Sequence, residues 1–282
     1  MKPSASSLYQ AIEIGQEIPP LIIGERSNTN GSKKFREALL ADDFDTCLKI
    51  GLEQEANGAQ MLDLCSAYAG RDEIADLTRL VRLYAGSVKV PIMIDSTTPD
   101  CIEACLKIYP GRAIINSINL EDGGKTLERV CRLAKKYGAG VVALTISEEG
   151  MAMTADDKVA TAKKIYALAV DKYGLRPHDI LFDPLTFTIG AGDENLVDAA
   201  IQTLEGIRRI KQELPGVFTM LGLSNISFGL PPAARKILNS VFLHHATQAG
   251  LTAAILHAAR IEPLHRIDAR SREVAEDLIF DR

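Results

Sequence analysis

Seven polar side chains occupy equivalent places in this chain. Glu25, Asp63, Asp95, Asn116, Asp183, Asn225 and His257 each sit at the end of a short apolar run, or just beyond it. Carboxylates and carboxamides dominate the set, and no lysine or arginine stands at these positions. That makes a poor phosphate site and a good site for a flat, neutral heterocycle rich in N–H donors. One carboxylate accepts an exocyclic NH₂ and the adjacent ring N–H of an amino-oxo-pyrimidine together, and carboxamides match the mixed donor and acceptor edge that remains. The most elaborate of these ends is Gly222-Leu223-Ser224-Asn225-Ile226-Ser227-Phe228-Gly229, which follows the apolar Val217–Leu221 run and precedes Pro231-Pro232. Prolines there suit the first turn of a helix.

Side chains so placed need elements that bring them to one edge, and the chain alternates strongly enough to supply them. Strands are predicted at 21–25, 61–65, 90–95, 113–116, 140–146, 180–183, 217–221 and 253–257. Helices are predicted at 44–58, 72–84, 98–108, from the 119–124 loop to Tyr137, at 155–173, through Leu204, Ile207 and Ile210, at 233–249 and at 271–280. Apolar residues recur at three- and four-residue spacing in each helical stretch. At Thr98-Pro99-Asp100 a capping hydroxyl, a proline in the first turn and an acid mark a helix start. Nearly continuous apolar strands alternating with amphipathic helices require a parallel sheet covered by helices. Eight such units in one chain point to a closed (β/α)₈ TIM barrel rather than an open doubly wound sheet. The Gly190-Ala191-Gly192 fragment stands in the wrong place for a dinucleotide fingerprint and reads as a loop.

In such a barrel the loops after the strands form the active face. Helix capping explains an acid at one strand end, Asp95 before Ser-Thr-Thr-Pro for example, but not the whole set. The 282 residues form a single domain in this reading, with residues 1–20 as an N-terminal extension. A formal charge of −5 and the absence of any long basic run argue against nucleic acid. No apolar run reaches membrane length, and residues 1–20 have no secretory pattern. Five cysteines, an odd number scattered through apolar context, predict a reducing, cytoplasmic address. Cys101 and Cys105 share a helix face, yet no second pair at ligand spacing follows, so packing and no metal site is expected.

Together the motifs Gly24-Glu25-Arg26-Ser27-Asn28, Leu62-Asp63, Ile94-Asp95-Ser96, Asn116-Ser117-Ile118-Asn119, Phe182-Asp183-Pro184 and Gly222–Phe228 resemble the pterin-binding methyltransferases. These are the methyltetrahydrofolate:corrinoid methyltransferases and the folate domain of cobalamin-dependent methionine synthase. The resemblance runs from about Leu21 to near the end of the chain. It implies transfer of the N5 methyl of 5-methyltetrahydrofolate to the Co(I) corrinoid (cobalamin) of a partner protein or domain, or the reverse. It also implies that Asp95, Asn116 and Asp183 hold the pterin, that Asn225 stands by N5 and that Asp63 and Ser227 lie in or near the pocket. Glu25, Asn28 and Ser117 would be rim residues, Asp95 would join Asn225 in catalysis, and the protein would be a homodimer; the N5 proton is open between water relayed by Asp95 or Asp183 and protonation before transfer.

Departures from that pattern shape the expectation. The chain has no cysteine set for a homocysteine-binding zinc, so methionine synthesis by this chain alone is not expected. Its starting Met1 favours a stand-alone methyltransferase over a module of a larger enzyme. Dihydropteroate synthase shares the barrel and the carboxylates, but a lysine after strand seven and an Arg-x-His after strand eight are missing here. A metal-dependent hydrolase would need more strand-end histidines than His257, and a non-catalytic pterin scaffold would keep the ring site without turnover.

Overall fold

Alternation along short parallel strands decides which side chains enter the interior of this protein. The computed structural model describes residues 2–190 and 192–282. Met1 and Ala191, the latter in the middle of the Gly190-Ala191-Gly192 fragment, lie outside the described residues. Strands β1 (Leu21–Gly24), β2 (Met61–Leu64), β3 (Ile92–Asp95), β4 (Ile114–Ile118), β5 (Gly140–Leu144), β6 (Ile180–Asp183), β7 (Phe218–Gly222) and β8 (Ala253–Leu256) form a closed parallel barrel in sequence order. Closure is made by β8 against β1, where Ala253 pairs with Leu21 and Leu256 with Gly24.

The interior of the barrel is filled by Leu21, Ile23, Met61, Met93, Ile114, Val142, Leu181, Met220 and Ala253. Successive strand side chains point to opposite faces, so the residue two further on points inward as well, one layer closer to the C-terminal rim. Those residues are Glu25, Asp63, Asp95, Asn116, Asp183 and Gly222, with the apolar Leu144 and Ile255 on β5 and β8. The outward-facing strand residues, such as Leu62, Ile94, Ile115, Val141 and Phe182, form the larger core against the surrounding helices.

Those helices are α1 (Phe44–Ala56), α2 (Glu73–Ser87), α3 (Pro99–Ile108), α4 (Lys125–Tyr137), α5 (Ala155–Tyr166), α6 (Ala199–Glu213), α7 (Pro232–Ala249) and α8 (Ala269–Ile279). The (β/α)₈ barrel expected from the alternation is the fold observed. Differences lie at its ends. An additional helix, Lys33–Leu40, stands on the rim; Ser32 caps it, accepting from the Phe35 N–H at 3.3 Å, and it buries Phe35, Ala38 and Leu39. Strand β5 stops at Leu144, and Ile146–Ser147 turns into a short hairpin with Gly150–Met151. Residues 1–20, expected to be a mere extension, contain a hairpin of Ser4–Ser6 with Ala11–Glu13. Its Ala5 and Ile14 are fully buried in the barrel-interior cluster, and Ser6 and Arg112 are tied together just before β4, so the hairpin closes the bottom of the barrel.

Thr98 is the N-cap of α3 but makes no capping bond through its hydroxyl, contrary to expectation. Ser96 Oγ accepts from the Thr98 N–H at 3.1 Å, while the Thr98 hydroxyl donates to Glu73 at 3.1 Å. All five cysteines are free and buried. No helix among the described residues is long and apolar enough to cross a membrane.

Candidate active site

The turn after β1 is the first part of the rim to be fixed. Ser27 is buried between Tyr84 and Gln54: its hydroxyl lies 2.9 Å from the Tyr84 hydroxyl and accepts from Gln54 Nε2 at 2.7 Å. Gln54 Oε1 accepts from the Arg26 backbone at 2.7 Å. Gly51 is required beneath this network, because a Cβ there would come within 2.6 Å of the Tyr84 ring. Asn28 is thereby presented over the barrel. Its Oδ1 accepts from the backbone N–H groups of Asn30 and Gly31, which leaves its amide nitrogen pointing inward.

That nitrogen joins two carboxylates. Asn28 Nδ2 donates to Asp63 Oδ2 at 2.7 Å and to Asp95 Oδ2 at 2.8 Å. Asn116, paired with Asp95 across the β3–β4 ladder, donates to Asp63 Oδ1 at 3.2 Å. Burial raises the Asp63 carboxyl to about 6, its two amide donors holding it down and Glu25 adding repulsion. Asp95 is raised well above the usual carboxylate range, first by burial and then by Asp63. Burial also raises Glu25, against a hydrogen bond with Ser224 and the fields of Arg235, Arg260 and Arg26. Three acids held above their ordinary range, with no lysine or arginine paired to Asp63 or Asp95 among the described residues, gain most from a ligand that brings several N–H donors.

Across the barrel Asp183 ends β6. Its Oδ1 accepts from the Leu185 N–H at 2.8 Å and its Oδ2 from the Gly222 N–H at 3.2 Å, so it braces the start of two loops. Leu185 adopts a left-handed backbone (φ 65°), which a non-glycine residue holds only where its surroundings demand it. Burial raises Asp183 to about 6, opposed by those N–H donors and by Lys158. Lys158 is fully buried on α5; its Nζ donates to Ala152 O at 2.9 Å and to Pro184 O at 2.6 Å, and sits 4.8 Å from the Phe187 ring centroid.

Residues Leu223–Ser227 form a 3₁₀ turn after β7. Thr188 Oγ1 donates to Asn225 O at 2.9 Å and anchors the turn, while the Asn225 carboxamide makes no hydrogen bond among the described residues. A Cβ on Gly222 would lie 3.1 Å from Asn225 Nδ2, so glycine leaves that amide its place.

One open cavity of about 1170 Å³ collects these groups. Glu25, Asn28, Asp63, Asp95, Ser224 and Asn225 line it. Asn116 and Asp183 do not line it and stand one hydrogen bond behind, through Asp63 and Gly222 respectively. Ser117, half-buried on β4, is not in the lining either. Ser227 is fully buried: its hydroxyl donates to Ser224 O and accepts from Arg235 Nε at 3.1 Å, so it supports the wall rather than facing the cavity. His257 lines the cavity and is held neutral, lowered to about 4 by burial and by Arg26 and Arg260. No group of three or more His, Cys, Asp or Glu residues arranged to hold a metal ion occurs among the described residues.

Strand ends alone did not reveal two features. Arg26, Lys33, Arg235 and Arg260 line the cavity from loops and helix starts, where the strand-end pattern does not look. Lys158 sits in the first turn of α5 and carries no local sign of burial.

Comparison with known proteins agrees with the geometry. The chain is 49% identical to methionine synthase of Mycobacterium tuberculosis and 46% identical to that of Mycobacterium leprae, in each case over all of this chain and 24% of the relative. It thus spans about a quarter of the length of these curated relatives. Among solved structures it resembles dihydropteroate synthase of Xanthomonas albilineans with 4-aminobenzoic acid (TM-score 0.66, 19% identity, 98% of each chain covered). Dihydropteroate synthase of Thermus thermophilus gives a TM-score of 0.63 at 21% identity, covering 98% of this chain and 99% of that one. At such identities the likeness concerns the barrel. The family model described as pterin binding enzyme matches residues 24–257, from the last residue of β1 to the residue after β8, and the chain belongs to that family.

Proposed function

We propose that this chain is a folate-dependent methyltransferase, moving the N5 methyl of 5-methyltetrahydrofolate to a Co(I) corrinoid carried by another protein or domain, or running the reverse. The observation that carries this reading is the meeting of Asp63, Asp95 and the uncommitted Asn225 carboxamide at one cavity. The names of the 49% and 46% identical relatives point the same way.

In this reading the amino-oxo-pyrimidine edge of the pterin is bound by the acids of β2 and β3, with Asn116 bracing Asp63 and, across the barrel, Asp183 bracing the start of the turn after β7. Charge-assisted hydrogen bonds from the ring satisfy carboxylates that are otherwise buried against their preference. The ring is thereby oriented with N5 toward the turn after β7. The corrinoid supplies the nucleophile. As the methyl leaves, the electron pair of its bond to carbon stays on N5, and a donor placed there acts chiefly in the transition state. Asn225 can donate a hydrogen bond at N5 but cannot deliver a proton, so the proton arrives through water, with the raised carboxyls of Glu25, Asp63 and Asp95 in the same lining as its sources. The cavity opens at the rim, the side from which a large flat acceptor approaches. We place the protein in the cytoplasm, a reading supported by its free, buried cysteines, and infer a homodimer, which analytical ultracentrifugation tests.

Mixing the purified protein with 5-methyltetrahydrofolate and free cob(I)alamin tests the reaction. Loss of the Co(I) absorbance that depends on the protein supports it. Tight folate binding without that change makes the protein a pterin scaffold, and absence of binding overturns the folate reading.

A further inference from the structure

A second, smaller chamber lies behind one wall of the main cavity. It has a volume of about 30 Å³, and its lining includes Glu25, Ser224, Arg235, Asn239, His257 and Arg260. All of these but Asn239 line the main cavity as well, so their side chains form the partition and Asn239 belongs to the chamber alone. Arg235 fixes that partition, donating to Ser227 Oγ at 3.1 Å and to Ser224 O at 3.2 Å. Asn239 stands on α7, only 8% exposed, and its buried Oδ1 accepts no hydrogen bond among the described residues. Buried acceptors in folded proteins are served by a donor, from the protein or from water. A volume of about 30 Å³ exceeds the roughly 10–15 Å³ that one water needs, and the lining supplies the polar partners.

On the methyltransferase reading above, we propose that the chamber is a water site, its water donating to both Asn239 Oδ1 and the Glu25 carboxyl, and that Glu25 is the acid from which the N5 proton comes. One of the three raised acids is singled out by its surroundings. Asp63 and Asp95 are taken up by the shared Asn28 amide and by the N–H donors of the ring, which need them as carboxylates. Glu25 stands apart from that amide, half-buried, with its carboxyl at the side chain of Ser224, the chain neighbour of Asn225. Burial holds it above the ordinary range of a glutamate, against Arg235 of α7, Arg260 after β8 and Arg26 of its own turn, and Asp63 of β2 faces it as a like charge. Of the other charged groups nearby, Glu53 is paired with Arg26 and Lys236 with Glu262, while His257 is held neutral. As the methyl carbon leaves N5, the electron pair of the broken C–N bond takes up a proton that water in the cavity relays from Glu25. The carboxylate left behind regains its proton from solvent through the chamber water, on the side of the exposed Lys236 and Arg260.

The test is single-turnover transfer from saturating 5-methyltetrahydrofolate to free cob(I)alamin between about pH 5 and 8, beside calorimetric titration with 5-methyltetrahydrofolate. The wild-type rate is expected to fall as pH rises through the folded value of Glu25, because the acid must carry its proton. Glu25→Gln keeps the shape of the side chain without an ionisable proton. It is expected to lose about 10²-fold or more in rate, and the pH dependence with it, while an unchanged folate affinity shows that it is folded. Asn239→Leu fills the chamber and expels the water, so the Glu25 carboxylate loses a donor and the fall in rate moves to higher pH, again with unchanged affinity. A Glu25→Gln rate close to that of the wild type, or equal losses of rate and affinity, overturns Glu25 as the acid. An Asn239→Leu profile that superimposes on the wild-type profile overturns the water site. Absence of transfer by the wild type overturns the methyltransferase reading beneath both.

Discussion

Asp63 and Asp95 share a single amide nitrogen, Asn28 Nδ2, at 2.7 and 2.8 Å. Each acid receives one N–H from it, and the Asn28 oxygen is held by backbone donors on its far side, so the amide cannot turn round without losing them. The two carboxylates are thus kept together without a cation between them. That arrangement costs stability in the unliganded protein and leaves the pair ready for donors from outside.

Asp95→Asn therefore stabilises the unliganded protein while weakening pterin binding. An asparagine oxygen still accepts from Asn28, and the repulsion with Asp63 disappears. A gain of about 0.5–2 kcal/mol at neutral pH is expected, the usual range for relieving an active-site strain. The sign follows from the raised carboxyl of Asp95: its ionisation disfavours the fold increasingly as pH rises through its folded value, so the variant's advantage is lost in acid. Thermal melts at several pH values, with and without ligand, check both halves.

Pterin affinity should fall on acidification below about pH 6. Asp63, which lines the cavity, is raised to about 6 from an ordinary value of 3.8, so below that point the ligand meets a protonated acid. The decline is at most about tenfold per pH unit for each group that must ionise. Titration with tetrahydropterin between about pH 5 and 8 reads the midpoint, and a flat profile excludes Asp63 as an acceptor.

Asn225→Ala is expected to lower methyl transfer by about 10²–10³-fold, in the range found for losing one preorganised donor, while folate affinity changes little. Single-turnover transfer to cob(I)alamin beside equilibrium binding separates the two. Equal losses in both would place Asn225 in ground-state binding.

Lys158→Met removes the donor from two buried carbonyls, Ala152 O and Pro184 O, and is expected to destabilise the protein by about 1–3 kcal/mol. It also removes the positive charge that holds Asp183 down, so Asp183 protonates at higher pH and loosens its hold on the Leu185 and Gly222 N–H groups there. The loss of stability relative to wild type is therefore expected to depend on pH, whereas loss of the two carbonyl hydrogen bonds alone would lower the melting temperature equally across the range. Gly206→Ala crowds the same side chain, its Cβ lying 2.9 Å from Lys158 Cδ, and provides an independent perturbation.

The barrel was legible in the sequence because its signals are local. Buried parallel strands are near-continuous apolar runs and their helices repeat at 3.6 residues, so eight alternations leave few other architectures. Glu25, Asp63, Asp95, Asn116 and Asp183 were legible for the same reason: each follows an inward-facing residue by two, and the period of a strand carries that facing to the rim. The rim helix Lys33–Leu40 and the bottom hairpin were missed because short elements gain their stability from what they cover, here through Phe35, Leu39, Ala5 and Ile14.

What the sequence by itself determined is thus a ring of acids and amides at the mouth of a cylinder. Only the tertiary structure decided which of them face the open cavity and which brace it from behind. Ser227 turns toward Arg235, Asn116 toward Asp63, and Asp183 toward the N–H groups of Leu185 and Gly222, because hydrogen-bond partners brought up by the folded loops and neighbouring strands select each rotamer. Lys158 and Arg260, at opposite extremes of burial, owe their places beside the site to crossovers that no local pattern encodes.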